Sequence, residues 1–172
     1  MLIGKERRER QPPEIILERL GAESGEVWLD LGAGNGFITL PLLQNGCQVV
    51  ALDLQPEMLE ALQNRVPEEL RPHLTAVESA LPTIPLDDDY ANHVVLVNVF
   101  HEIVRIPETI REIFRVLNEN GTVHVIDYQK VPSETGPPLQ DRVSPPDVCG
   151  HFSRDPVRTY QDPLYYHLVF KK

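Results

Sequence analysis

An apolar pentapeptide that leads into a glycine-rich turn is the feature that most constrains the fold of this chain. Val27–Leu31 reads Val-Trp-Leu-Asp-Leu and predicts a short buried strand, and Gly32, Gly34 and Gly36 follow it at alternate positions. Glycine at these positions lets the backbone turn tightly and leaves no Cβ between the turn and whatever lies against it. A strand, a tight turn and a helix in this order predict the first unit of an α/β sheet.

A carboxylate at the end of the next apolar run indicates what the turn holds. Residues 47–52 predict a second strand, and Asp53 follows it directly. In α/β sheets this arrangement binds a nucleoside, because the acid accepts hydrogen bonds from the ribose hydroxyls. A dinucleotide fingerprint would read G-x-G-x-x-G, but here the glycines follow G-x-G-x-G and Phe37 stands at the third place. Asp30, two residues before the first glycine, suits an ammonium group better than a diphosphate.

These residues resemble motif I of the class I S-adenosylmethionine-dependent methyltransferases, D/E-x-G-x-G-x-G, at every fixed position. Other segments resemble small bacterial and archaeal methyltransferases of type 11, which are related to the ubiquinone and menaquinone C-methyltransferases. The segments are Ile84-Pro-Leu-Asp-Asp88, Asn98-Val-Phe-His-Glu102, and Gly136-Pro-Pro-Leu139 with Arg142 and Ser144. The resemblance implies S-adenosyl-L-methionine as the cofactor and S-adenosyl-L-homocysteine as its product. The last segment is similar to the tail of a subgroup and implies no substrate.

Strands alternate with helices through the first three-quarters of the chain. Predicted strands near residues 27–31, 47–53, 74–77, 94–97 and 122–126 indicate a parallel, doubly wound α/β sheet. Residues 157–161 and 165–170 predict an antiparallel hairpin. The resemblance implies a Rossmann-like three-layer sandwich with a mostly parallel seven-stranded sheet of order 3-2-1-4-5-7-6, closed by this hairpin. We expect one domain over residues 1–172, with an N-terminal segment and helix in 1–21.

Prolines change the character of the last quarter. Seven of the sixteen prolines fall between Pro132 and Pro163, which excludes one regular helix there. We expect a proline-rich loop over the site at residues 128–146, followed at most by a short helical turn near 147–150.

The resemblance also implies a set of cofactor-binding residues. The backbone of the turn would wrap the methionine and ribose, Asp30 would orient the loop or the ammonium, and Asp53 would bind the ribose diol. Leu54 would lie against the adenine. The full set is Asp30, Gly32, Ala33, Gly34, Asn35, Asp53, Leu54, Met58, Ser79, Ala80, Leu81 and Asn98. Ala80 departs from the family pattern, which has an acid near this position for the adenine amino group; the backbone, Ser79 or a water takes that role, or the adenine is held less tightly.

His101 is the candidate catalytic residue, as a general base for an acceptor that must lose a proton. The alternative is a helix-entry residue that bonds nearby backbone, since a single histidine is weak evidence. Arg105 occupies the place of the second histidine in H-E-x-x-H, and the other histidines lack ligand spacing. We therefore predict no metal site.

Composition limits the partners and the location. A formal net charge of −10 argues against a nucleic-acid backbone as the partner. No apolar stretch approaches membrane-spanning length, and the charged first fifteen residues lack the apolar core of a signal peptide, so we expect no membrane partner and a cytoplasmic protein.

The predicted function is S-adenosylmethionine-dependent methyl transfer to an unidentified small-molecule acceptor, by a monomer or homodimer. Two alternatives stay open, a non-catalytic S-adenosylmethionine-binding protein of the same fold and, less favoured, a NAD-binding oxidoreductase.

Overall fold

The computed structural model describes residues 5–172, and within this range seven strands form one sheet. Its strand order is β3-β2-β1-β4-β5-β7-β6, mostly parallel, with an antiparallel hairpin at the C-terminal end. The predicted fold class is therefore confirmed. The chain divides after Ala80 into two compact units, described separately below. The first four residues of the predicted N-terminal segment lie outside the described range.

The first unit alternates helices with three parallel strands. Its strands pair in register, β1 with β2 and β2 with β3. Trp28, Leu29 and Leu31 of β1 are fully buried, as the apolar run predicted. The elements are α1 (Lys5–Arg10), α2 (Pro13–Leu20), β1 (Val27–Leu31), α3 (Thr39–Gln44), β2 (Gln48–Asp53), α4 (Pro56–Arg65), a 3₁₀ turn (Glu68–His73) and β3 (Leu74–Glu78).

The second unit carries the other four strands. β4 pairs in parallel with β5, and β7 lies antiparallel between β5 and β6, which confirms the predicted closing hairpin. The elements are β4 (Ala91–Val97), a 3₁₀ turn (Phe100–Glu102), α5 (Ile106–Val116), β5 (Leu117–Tyr128), a 3₁₀ turn (Leu139–Asp141), α6 (Pro145–Phe152), β6 (Arg158–Gln161) and β7 (Tyr165–Lys171). In the part of the chain that the structure describes, no helix has the length and apolarity needed to cross a membrane.

Several elements of the second unit are longer than the sequence predicts, and β4 begins at Ala91 rather than at residue 94. β5 begins at Leu117 rather than at residue 122, and its register with β4 shifts between Ala91 and His93 to accommodate the polar residues 118–121. The expected turn near 147–150 is a helix of eight residues. Pro145 and Pro146 occupy its first turn, where proline is tolerated, and the hydroxyl of Ser144 accepts from the backbone N–H of Asp147 at 3.4 Å.

Histidines that are scattered in sequence form a hydrogen-bonded chain across this unit. His93 Nδ1 lies 2.6 Å from the Thr122 hydroxyl, which lies 2.8 Å from His124 Nε2. His124 Nδ1 lies 3.0 Å from His167 Nε2. Burial, followed by the neighbouring histidines, holds the pKa of His124 well below its usual value. Within residues 5–172, no group of three or more His, Cys, Asp or Glu side chains is arranged to hold a metal ion.

The neutral state of His124 predicts loss of stability in acid. Because its folded pKa is depressed, the unfolded chain binds a proton near pH 6.5 that the folded chain does not, so the contribution of His124 to stability falls as the pH drops below that value. We expect His124→Asn to be less stable than wild type near pH 8, with a smaller decrease between pH 7 and pH 5. Urea unfolding at several pH values measures both, and an equal decrease in the two proteins would contradict the assignment.

Candidate functional site

The glycine turn is pinned to the end of β2. The backbone N–H groups of Gly32 and Ala33 both donate to the Leu52 carbonyl, at 2.8 and 3.1 Å. Gly34 and Gly36 have positive φ angles of 54° and 87°, which favour glycine. A Cβ on Gly36 would collide with the Leu62 side chain, whereas a Cβ on Gly34 would have no described atom within 4 Å. The turn is therefore packed on one side and open at Gly34.

Asp53 joins the turn to the end of β2. Its Oδ2 accepts from the Gly34 N–H at 2.7 Å, and its Oδ1 accepts from the Gln55 N–H at 2.9 Å. A carboxylate offers about four lone-pair directions. Two of them are used here, which leaves two for a pair of ligand hydroxyls.

The residues after Asp53 provide an apolar surface and a polar edge. Leu54 is 63% exposed, which is unusual for a leucine directly after a buried strand. Met58 is half-buried in α4. The Ser79 N–H donates to the Asp53 carbonyl at 3.0 Å, which places the end of β3 beside the end of β2, and Ala80 is exposed.

Asp30 is a buried acid rather than a surface carboxylate. It is 2% exposed, and the hydroxyl of Thr39 donates to its Oδ2 at 2.5 Å. Burial is the main cause that raises the pKa of Asp30 to about 7; the Thr39 hydrogen bond opposes this and the charge of Asp53 adds to it. Asp30 thus links the end of β1 to the start of α3. This contact joins the two elements that flank the glycine turn, and Thr39 is a partner that sequence reasoning missed.

In the second unit, His101 is bound to Asp127. Its Nδ1 lies 2.8 Å from Asp127 Oδ1, and its backbone N–H donates to Asp127 Oδ2 at 3.1 Å. Asp127 is 1% exposed, and its Oδ1 also accepts from the Tyr128 N–H at 2.8 Å. Sequence reasoning missed Asp127 as a site residue. The available signal was its place just past predicted strand 5, since ligand-binding residues collect at the carboxyl ends of parallel strands.

The acids around His101 stabilise its protonated form. Burial lowers the pKa of His101, but the hydrogen bond and charge of Asp127 outweigh it, with further contributions from Glu102 and Asp141, and the net shift is upward. Asn98, after β4, has a φ of 59°, which asparagine tolerates better than most residues, and its N–H donates to the Ile126 carbonyl at 2.7 Å. His101 and Asn98 are thus both anchored to β5.

Arg142 organises the proline-rich segment. Its guanidinium is buried and makes five hydrogen bonds of 2.8–3.2 Å, to the carbonyls of residues 129, 131, 135 and 137 and to the Ser133 hydroxyl. It also lies 5.3 Å above the ring of Tyr128, which packs edge-on against His101. A Cβ on Gly136 would collide with the same ring. The segment expected as a loop is therefore closed around one buried side chain.

We expect Arg142→Lys to loosen this segment. Lysine has three donors and cannot replace five hydrogen bonds in a fork geometry, so part-buried carbonyls of the segment lose their charged donor and the protein is destabilised by about 2–4 kcal/mol. Hydrogen exchange at the amides of residues 129–142 should accelerate. Arg111→Lys, at an exposed position of α5, is the control. Unchanged exchange in Arg142→Lys would refute this role.

An open depression of about 480 Å³ lies in the same unit. Side chains of both charges line it, among them Lys130, Asp141, Asp147 and His151. A depression of this volume is large enough for a small molecule.

Comparison with known proteins identifies the family. The model of the methyltransferase domain family matches residues 29–125, which is more than half of the chain. The chain belongs to the methyltransferase domain family. An uncharacterized methyltransferase of Mycobacterium tuberculosis (strain ATCC 25618 / H37Rv) is 34% identical over 152 residues, covering 81% of this chain and 60% of the relative. The 2-phytyl-1,4-naphtoquinone methyltransferase of Trichormus variabilis is 26% identical over 121 residues, 68% of this chain and 53% of that protein.

Solved structures of methyltransferases share the fold of this chain. A SAM dependent methyltransferase from Aquifex aeolicus superposes with a TM-score of 0.90 at 24% identity, over 99% of this chain and 94% of that one. Family and fold together indicate S-adenosyl-L-methionine as the cofactor, as the glycine turn predicted. The chain spans about three-fifths of the length of the first curated relatives that it matches.

Proposed function

We propose that this methyltransferase domain transfers a methyl group from S-adenosyl-L-methionine to a small-molecule acceptor. The observation that carries the proposal is the carboxylate of Asp53, which is fixed by the N–H groups of Gly34 and Gln55 and keeps two lone-pair directions for a ribose diol. Open space beside Gly34 and the exposed Leu54 provide room for the nucleoside.

The proposed contacts follow the chemistry of the cofactor. Asp53 accepts from the ribose hydroxyls, Leu54 and Met58 contact the adenine, and the exposed Ala80 leaves the adenine amino group to the backbone, to Ser79 or to water. The turn residues Gly32, Ala33, Gly34 and Asn35 contact the ribose and methionine, with Asp30 behind them. Leu81 borders the adenine, and Asn98 contacts the methionine end.

Methyl transfer requires little chemistry from the protein itself. The bound sulfonium supplies an activated methyl group, so the protein aligns the acceptor and excludes water. His101 is proposed as the general base, because Asp127 fixes its ring and favours the imidazolium that proton uptake creates.

A small acceptor is supported by the charged depression of the second unit and by the net charge of −10, which disfavours polyanions. The Trichormus relative acts on a naphthoquinone by its name, so a reduced naphthoquinone is the first acceptor to test. The assay incubates glycerol-free protein with S-[methyl-³H]-adenosylmethionine and one acceptor at a time, and it measures label transferred to the acceptor. The acceptors are a reduced 2-substituted 1,4-naphthoquinone, catechol and 2-mercaptoethanol.

Calorimetric titration accompanies this assay and separates the alternatives. We expect S-adenosyl-L-homocysteine to bind at one site and NAD not to bind. Binding without label transfer to any acceptor of a broad panel would favour the non-catalytic alternative. NAD binding without S-adenosyl-L-homocysteine binding would contradict the proposal.

A further inference from the structure

We propose that Asp127 is the positioning residue of His101 and that the acceptor is a hydroxyl compound, phenolic or enolic, which must lose its proton during methylation. This inference rests on the proposed function and names the substrate class of the same site.

The carboxylate of Asp127 is held in place by three donors. The backbone N–H groups of His101 and Tyr128 donate to its two oxygens at 3.1 and 2.8 Å, and the imidazole Nδ1 lies 2.8 and 3.0 Å from them. An ionised carboxylate can only accept hydrogen bonds. The hydrogen of the neutral ring is therefore on Nδ1, and the lone pair is on Nε2.

The Nε2 atom is not used in the fold. Glu102 Oε1 lies 3.7 Å from it, beyond hydrogen-bond range, and among residues 5–172 Nε2 makes no hydrogen bond. The His101 side chain is 8% exposed, so most of the ring is buried. A histidine that only begins the 3₁₀ turn would need the hydrogen bond from its backbone N–H to Asp127 but no contact from its ring. Here a buried acid orients the ring through Nδ1, while Nε2 keeps its lone pair.

The charged groups that face His101 come from three segments. They are Asp127 in β5, Glu102 in the adjoining 3₁₀ turn and Asp141 in the following 3₁₀ turn, all of them acidic. Proton uptake at Nε2 therefore creates a cation in a negative field. This arrangement favours the step that a general base performs, and it offers no anion-binding group for a carboxylate or phosphate substrate at that nitrogen.

Methyl transfer to a hydroxyl involves the acceptor oxygen, the sulfonium of the cofactor and His101 Nε2. Nε2 takes the proton of the acceptor hydroxyl as the oxygen electron pair forms the new bond to the methyl carbon. The carbon–sulfur bond breaks and its electron pair stays on sulfur, which gives a neutral thioether. The imidazolium then releases its proton to water. For an enol that is methylated on carbon, the electron pair of the lost O–H bond forms a C=O bond, and the C=C pair forms the new bond to the methyl carbon.

Other acceptor classes do not need this pair. A thiol of ordinary acidity is already part thiolate at neutral pH, and a neutral amine attacks before it loses a proton. General-base assistance matters most for hydroxyls, whose pKa lies well above neutrality.

Nitrogen-15 NMR of the imidazoles in the wild-type chain tests the positioning without any acceptor. We expect the neutral ring of His101 to carry its hydrogen on Nδ1, with a titration midpoint above 6.5. In Asp127→Asn the midpoint should fall, and the Nε2–H tautomer should appear. A wild-type ring with its hydrogen on Nε2 would overturn the proposal, even if a variant fails to fold.

Methyl transfer from S-[methyl-³H]-adenosylmethionine tests the acceptor class, with catechol, reduced 1,4-naphthoquinone and 2-mercaptoethanol as probes. We expect transfer to a hydroxyl probe, with kcat rising with pH through the His101 midpoint. Asp127→Asn should lower kcat by about 100-fold and move the midpoint to lower pH. Glu119→Gln removes an exposed acid of the same strand β5 and is the control, which should change kcat less than threefold.

The outcomes distinguish a failure of this inference from a failure of the proposed function. Transfer to 2-mercaptoethanol alone, or unchanged kcat and pH profile in Asp127→Asn, would overturn this inference and leave the proposed function intact. Failure to bind S-adenosyl-L-homocysteine would overturn the proposed function, while the tautomer of His101 would still report on Asp127.

Discussion

Asp30→Asn should gain stability over wild type as the pH rises from 4 to 8. The folded pKa of Asp30 is about 7 against an ordinary 3.8, because burial disfavours the charge. Between these values the folded state holds a proton that the unfolded state has lost, so the contribution of Asp30 to wild-type stability falls as the pH rises through this range and levels off above it. Since one pKa unit corresponds to about 1.4 kcal/mol, the variant should gain up to about 4 kcal/mol relative to wild type.

Urea unfolding of both proteins at pH 4 and pH 8 measures this difference. The absolute stability of the variant also includes the loss of ideal geometry with the Thr39 hydroxyl, so the change of the difference with pH is the quantity to compare. Asp87→Asn removes one exposed carboxylate and controls for net charge. A difference that stays constant from pH 4 to pH 8 would show that Asp30 is not a buried acid with a raised pKa.

Asp53→Ala should abolish most of the stabilisation that the cofactor product gives. At a hundredfold excess of S-adenosyl-L-homocysteine over its wild-type Kd, the free energy of unfolding should rise by about 2.7 kcal/mol in wild type. The variant loses the proposed acceptor of both ribose hydroxyls and frees the N–H groups of Gly34 and Gln55. A hundredfold loss of affinity would reduce the rise to about 0.4 kcal/mol.

Two further variants show whether the lost stabilisation is due to the Asp53 carboxylate. Asp53→Asn keeps one carbonyl acceptor and should lie between wild type and Asp53→Ala. Glu60→Ala, an exposed acid on α4, should respond to the ligand as wild type does. An undiminished rise in Asp53→Ala would remove Asp53 from the ribose site.

Much of the fold could be predicted because its signals are local. The apolar run that forms β1 lies on Val27–Leu31, with the bounds that the sequence predicts, and Gly21 caps α2 in the left-handed conformation. The alternation of strands and helices then limits the topology, and the closing hairpin distinguishes it from a wholly parallel sheet. The helix Pro145–Phe152 is longer than the expected turn near 147–150, because Pro145 and Pro146 occupy its first turn, where proline does not break a helix.

The contacts of the candidate site were harder to predict because they join distant residues. His101 and Asp127 are separated by 26 positions, and Thr39 reaches Asp30 across nine. Such pairs depend on strand register and on helix entry angles, which no local pattern encodes. The role of Arg142 is similar: the sequence marks it only as part of a family-like tail, whereas its five hydrogen bonds to residues 129–137 require the folded loop.

A crystal structure of the chain with bound S-adenosyl-L-homocysteine would show the ribose contacts. We expect both ribose hydroxyls within hydrogen-bond distance of the Asp53 carboxylate and the adenine against Leu54. We also expect the turn to keep its contacts with Leu52. A ligand bound away from the turn, or a ribose that does not contact Asp53, would contradict the account.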